Sequence, residues 1–138
     1  MPTIFERITS GEIPAYTVYE DDFVLAFLDI SQATKGHTLV ITKQMHPDIF
    51  ALPSDLSNHL FGVVKKLSSV IKTAFNADGI NILNNNGAAA GQTVFHFHVH
   101  IIPRYDGDDL SIVFTNHGTE LSAAEFKKRA DLIKSALL

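Results

Sequence analysis

The sequence predicts an α+β fold: an antiparallel sheet of about five strands with helices on one face. Three observations predict it. Short stretches rich in β-branched and aromatic residues follow one another with connections too short for crossover helices. From Leu56 to Ala74 the apolar residues instead recur at three and four, the period of a helix. Near the end, Ser122 with Glu125 three residues on reads as a capping box.

Each element follows in order. Thr3 to Thr9 forms a short helix with Ile4, Phe5 and Ile8 on one face, ended by Gly11 and Pro14. Tyr16 to Glu20 and Phe23 to Leu28 form a hairpin around Asp21-Asp22. Ser31 to Gly36 is polar and turn-like, and His37 to Thr42 is the third strand. Leu56, Leu60, Val63, Val64, Leu67, Val70, Ile71 and Ala74 make one apolar stripe on a long central helix capped by Ser54. Gly79 to Leu83 is the fourth strand, and a Gly/Ala loop leads through Gly91. Val94 to Ile102 is the fifth, closed by Pro103 and the Asp106-Gly107-Asp108 turn. A C-terminal helix runs from Ser122 to about Ser135. No repeat or linker interrupts residues 1–138, which read as a single domain.

Composition narrows the function classes. The 138 residues are 46% hydrophobic and 19% charged, an ordinary globular balance. The absence of Cys excludes a disulfide framework, thiolate metal ligands and a thiolate nucleophile. The net charge of −4, without a Lys/Arg run, argues against a nucleic-acid partner. No apolar run approaches a membrane span, and the N-terminus carries early charges with no apolar signal core. The sequence reads as a cytoplasmic protein with no membrane partner.

The informative segment is Gly91-Gln-Thr-Val-Phe-His96-Phe-His98-Val-His100-Ile-Ile-Pro-Arg104. On a strand, His96, His98 and His100 share one face, while Phe97, Val99 and Ile101 turn to the core beneath the long helix. A sheet face has no packing reason to select imidazole three times. Two chemistries remain: a three-His metal site, or nucleophilic and acid–base work on a phosphate. The flexible loop before the strand lets backbone amides approach an anion. No carboxylate stands within the strand to orient a metal-bound imidazole. These features weigh toward phosphate chemistry.

Residues 96–102, His-Phe-His-Val-His-Ile-Ile, resemble the signature of the histidine triad (HIT) family, in which apolar residues separate three histidines. Thr3-Ile-Phe-Glu-Arg-Ile, Gly11-Glu-Ile-Pro14, Tyr19-Glu-Asp-Asp22, Leu25 to Ser31, Gly36 to Val40 and Asn85 through Arg104 are similar to its Hint-like nucleotide-binding branch. The resemblance covers residues 3 to about 105; residues 106–138 add a turn and the last helix. It implies a hydrolase that cleaves the α-phosphate linkage of AMP or GMP phosphoramidates. His98 would be the nucleophile that forms a nucleotidyl-imidazole intermediate. His100, with His96 and His37, would complete the catalytic array. Gly91, Gln92, Thr93 and Asn85 would contact the phosphate. Asp29 would hold the ribose hydroxyls, and Ile4, Phe5, Ile8, Phe27 and Ile30 would surround the base. The resemblance further implies a homodimer, with the long helix and fourth strand as contact surfaces.

The sequence also departs from the family. Zinc-bearing relatives pair a histidine near His46 with a Cys-x-x-Cys; here those Cys positions hold Thr3 and Glu6, which implies no metal and no cofactor. The Trp-containing tail of the human-type branch is replaced by a helix carrying Leu121, Phe126, Ala130, Leu132, Ile133 and Leu137. Pro103-Arg104 resembles the dinucleoside polyphosphate hydrolases, which keeps Ap4A- or Ap3A-type hydrolysis as an alternative. A nucleotide-binding or regulatory protein with little turnover is the other alternative. His59 and His117 read as solvated residues.

Overall fold

A computed structural model describes residues 1–137 and orders them as α1 (Ile4–Thr9), β1 (Thr17–Glu20), β2 (Val24–Leu28), β3 (Thr38–Thr42), α2 (Ser54–Ala74), β4 (Gly79–Leu83), β5 (His98–Arg104) and α3 (Ala123–Ala136). The five strands form one antiparallel sheet in the order β1-β2-β3-β5-β4.

One face of the sheet meets α2. Val24, Ala26, Val40, Phe97, Val99 and Ile101 pack there against Leu60, Val63, Val64, Leu67 and Ile71, the apolar stripe of the helix. Asp55 in its first turn and Lys72 in its last suit the helix dipole. The expected cap shifts by one residue: Pro53 holds the N-cap position without a side-chain bond, and Ser54 is already helical.

The expectation of helices on one face alone does not hold. The other face gathers Leu25, Phe27, Leu39 and Ile41 under Phe5 of α1, with Ile8 beside them. The reason lies in β2 and β3, whose apolar runs are continuous and not alternating. Such strands are covered on both faces; all five residues of β3 are buried.

The fifth strand begins later and ends later than the sequence indicates. Its neighbours set both limits. The last rung with β3 is Ile41↔His98, so residues 94–97 have no strand to pair with. The Phe97 N–H donates instead to the His46 carbonyl at 2.7 Å. At the other end Pro103 does not close the strand but lies within it, opposite Ile80 of β4. The β3 ladder has ended by Thr38↔Ile101, so an edge position accepts a residue without an N–H.

Helix α3 begins as the capping box predicts: Ser122 Oγ accepts from the Glu125 N–H at 3.2 Å. None of its described residues is buried, and Phe126, Leu132 and Ile133 stand exposed. Among the described residues, no helix is long and apolar enough to cross a membrane.

The two helices predict opposite responses to truncation. Leu60 is fully buried between α2 and the sheet, so Leu60→Ala lowers the unfolding free energy by about 2–5 kcal/mol in urea denaturation. Phe126→Ala removes exposed surface and shifts it by less than about 0.5 kcal/mol.

Candidate active site

The site grows from the register of β5. With Phe97, Val99 and Ile101 in the α2 core, His98 and His100 emerge on the opposite face, beside Ile41 and Leu39 of β3. His96 precedes the strand, yet its fully buried ring turns the same way and meets Phe5 edge-on at 5.7 Å between centroids. Phe5 also packs edge-on against His98, at 5.0 Å.

Hydrogen-bond partners fix which nitrogen of each ring carries the proton. His98 Nδ1 lies 2.7 Å from the His96 carbonyl, which can only accept. Nδ1 is therefore the protonated nitrogen, and Nε2 keeps its lone pair. His96 has the reverse arrangement: Nε2 donates to the Thr42 carbonyl at 2.6 Å, and Nδ1 accepts from the Thr3 hydroxyl at 2.9 Å.

His37 and His100 form a relay. The Ala33 N–H donates to His37 Nδ1 at 3.2 Å, which places the proton of that ring on Nε2. His37 Nε2 donates in turn to His100 Nδ1 at 2.9 Å. His100 is left with its proton on Nε2. One histidine of the strand thus has a free lone pair, and the next has an N–H.

Burial is the first cause of the electrostatics. It pushes His37, His96 and His98 below the ordinary imidazole value and His100 down to about 4, neighbouring histidines adding to the fall of His100. Burial alone would raise Asp29, but the hydroxyl and backbone N–H of Ser31 hold its carboxylate below the usual range. The other Asp29 oxygen stands 3.6 Å from His37 Nε2.

The loop that carries Asp29 and His37 is tied by Gln32, which the sequence reading passed over. Its Nε2 donates to the carbonyls of Asp29 and His37, both at 2.7 Å, and its Oε1 accepts from the Gly36 N–H at 2.9 Å. Gly36 has a φ of +94°, and a Cβ there would lie 2.8 Å from the Phe75 ring.

Two adjoining clefts open over this face. One, of about 340 Å³, is lined by Asp29, His37, Asn85, Gly91, Thr93, His98 and His100, with Ala33, Leu83, Ile102 and Leu110 also in its wall. The other, of about 310 Å³, is apolar and lined by Ile4, Phe5, Ile8, Phe27 and Ile30, together with Ile13, Pro14 and Tyr16. Phe5, Asp29, Leu39 and Val94 border both.

The structure thus brings together most of the sequence-derived site but moves two members away from the cleft. Gln92 is buried inside the loop: its Oε1 accepts from the Gly87 N–H and its Nε2 donates to the carbonyls of Pro47 and Val94. His96 lies behind His98, outside the cleft lining. Gly91 holds a φ of +92°, the left-handed turn that brings the loop to Asn85. Among the other histidines, His59 is not simply solvated but meets Asp21 Oδ2 at 2.7 Å. The lining residues missed from sequence, such as Leu39 and Leu110, carry no local signal beyond being apolar.

Metal binding can be tested on the donors. Thr3 and Glu6 stand where the resemblance noted from the sequence implies a zinc-binding Cys pair. Thr3 offers a neutral hydroxyl that already occupies His96 Nδ1, so it does not stand in for a thiolate ligand. Asp29, His37 and His100 each present a donor atom within 4.8 Å of the others, but His37 and His100 spend theirs on each other.

Known proteins resemble this chain in sequence and fold. Residues 10–107 match the HIT domain. The protein Hit of Bacillus subtilis is 44% identical over 135 residues, covering 97% of this chain and 93% of that protein. The adenylylsulfatase HINT3 of Arabidopsis thaliana is 41% identical over 107 residues, 78% of this chain and 54% of that protein. The crystal structure of the histidine triad nucleotide-binding protein from Candida albicans superimposes with a TM-score of 0.88 at 32% identity, covering 99% of this chain and 97% of that one.

Two measurements check the electrostatics. Imidazole ¹⁵N NMR at neutral pH is expected to show His98 protonated on Nδ1 and His37, His96 and His100 on Nε2. Because these rings resist protonation, the native state binds fewer protons than the unfolded chain below about pH 6.5. The histidine contribution to stability therefore falls from about pH 7 toward about pH 4, and the carboxyls of Asp21, Asp29 and Asp108, held low in the fold, continue the loss below it. Urea denaturation across this range is expected to show a smaller loss in His100→Gln.

Proposed function

The chain belongs to the HIT family of nucleotide-binding hydrolases and transferases, and we propose that it hydrolyses purine nucleoside phosphoramidates through a covalent nucleotidyl intermediate on His98. The observation that carries this reading is the protonation pattern: His98 offers the Nε2 lone pair into the cleft while His100, the next histidine on that face, offers an N–H.

The base enters the apolar cleft formed by α1 and the end of β2, and the α-phosphate enters the histidine cleft. Asp29, at their border, accepts from the ribose hydroxyls. His98 Nε2 attacks the α-phosphorus and the P–N bond breaks. The amine departs with a proton drawn from water, and the hydroxide left behind attacks phosphorus and breaks the phosphorus–imidazole bond, which releases AMP or GMP and returns His98 neutral. This divides one hard substitution into two easier ones. The His96 carbonyl holds His98 Nδ1–H as positive charge develops on the ring. His100 Nε2–H, Thr93 and the loop at Gly91 face the phosphoryl oxygens, and Asn85 stands beside them. His96 acts from behind, as the residue whose carbonyl orients the nucleophile.

Hydrolysis of dinucleoside polyphosphates by the same step is the second reading, motivated by Arg104. Its guanidinium is committed elsewhere: Nε and Nη2 bind Asp108, Nη1 binds Asn81, and Nη2 also reaches the Leu110 carbonyl. That arrangement favours the phosphoramidate. The exposed edge strand β4, with Ile82 on its surface, supports a homodimer formed across β4 and α2. Sedimentation equilibrium at micromolar concentration is expected to return twice the monomer mass.

Rapid mixing with an AMP phosphoramidate, followed by intact-protein mass spectrometry without acid, is expected to show a transient adduct of one AMP. His98→Ala is expected to lack the adduct and to lower kcat by roughly 10⁴-fold or more. Wild-type turnover retained in that variant would refute the assignment.

A further inference from the structure

The histidine cleft does not end at His100. The face of β5 that carries His98 and His100 continues to Ile102, which is 4% exposed, and Leu83 of β4 lies directly opposite His100. Leu110 borders the same cleft from the segment after the sheet. The sheet order places this apolar end over β5 and β4, while the base cleft lies over β2 and β3, so the reacting histidines stand between the two. A group attached to the far side of the α-phosphate would be directed there.

The charges at this end cancel. Arg104 and Asp108 pair through two contacts of 2.8 and 2.9 Å. Arg104 also donates to Asn81 at 2.7 Å and to the Leu110 carbonyl at 2.6 Å, which holds that residue in place. An anionic leaving group meets a cation already engaged, and a cationic one meets a carboxylate already engaged. Aliphatic surface is what remains.

Resting on the reading that the α-phosphate of a nucleotide sits at His98, we propose that Leu83, Ile102 and Leu110 form a leaving-group subsite that selects an uncharged aliphatic or aromatic substituent on the phosphate. The amines released by the enzyme are then ones whose carbon skeleton, and not a charge, is recognised.

Binding tests this apart from turnover. Calorimetry compares AMP with its methyl and pentyl phosphate esters, which differ only in carbon beyond the phosphate. The pentyl ester is expected to bind about tenfold more tightly than the methyl ester, the effect of burying roughly two methylenes. Leu110→Ala, on a partly exposed segment, is expected to bring that ratio to about threefold or below, with AMP affinity unchanged. Leu83→Ser is a second variant with the same expectation. Equal affinity for the two esters in the wild-type protein, or a ratio that neither variant moves, overturns the subsite while leaving the nucleotide reading intact. Failure of AMP itself to bind overturns that reading and the subsite with it.

Discussion

The structure depends on the burial of three residues, Phe97, Val99 and Ile101, beneath α2. All are 1% exposed or less. Because a strand alternates its side chains, their burial leaves His98 and His100 no choice of face. A slip of one residue would bring imidazoles into the α2 core and Val99 into the cleft, at the cost of burying polar rings without partners. The register of the two imidazoles is therefore set by hydrophobic packing on the opposite side of the sheet. The chemistry needs no separate device to position the two rings.

Packing alone would give two equivalent histidines; the backbone makes them different. His98 faces a carbonyl, and His100 faces a histidine that itself faces an amide. A carbonyl demands a proton and an amide supplies one, so the rings point opposite functions into the same space. Low pKa values maintain this pattern, since a proton added to His37 or His100 would turn an accepting nitrogen into a second donor. Burial, which lowers all four rings, thus preserves the directionality of the relay. Gln32 and Gly36 belong to the same device, because they fix the loop whose amide at Ala33 begins it.

Much of this was legible in the sequence, for a physical reason: alternation and helical period are local signals. Five strands, the central helix, the imidazole face and the core behind it all follow from them. What the sequence withheld depends on partners distant along the chain. The limits of β5 are set by where β3 stops, which nothing near Val94 or Pro103 records. The side of the sheet taken by α1 follows from β2 and β3 being apolar on both faces, a signal that was present but overlooked. Gln92 resembles a phosphate contact by position, yet its amide closes its own loop. A side chain of that length serves either purpose, and only the neighbouring backbone decides.

Thr3 links the first helix to the histidine strand. The Thr3 hydroxyl accepts from the Glu6 N–H as the cap of α1 and donates to His96 Nδ1. It therefore joins α1 to the residue whose carbonyl orients His98. Phe5, two residues further on, packs on His98 and borders both clefts. A six-residue helix is marginal by itself; here it is held at its cap by the histidine network and at its face by the sheet. The apolar cleft and His98 consequently share one support. On the proposed reaction, a base in the apolar cleft would bear on Phe5, and Phe5 on His98, which would couple nucleotide binding to the alignment of the attacking nitrogen.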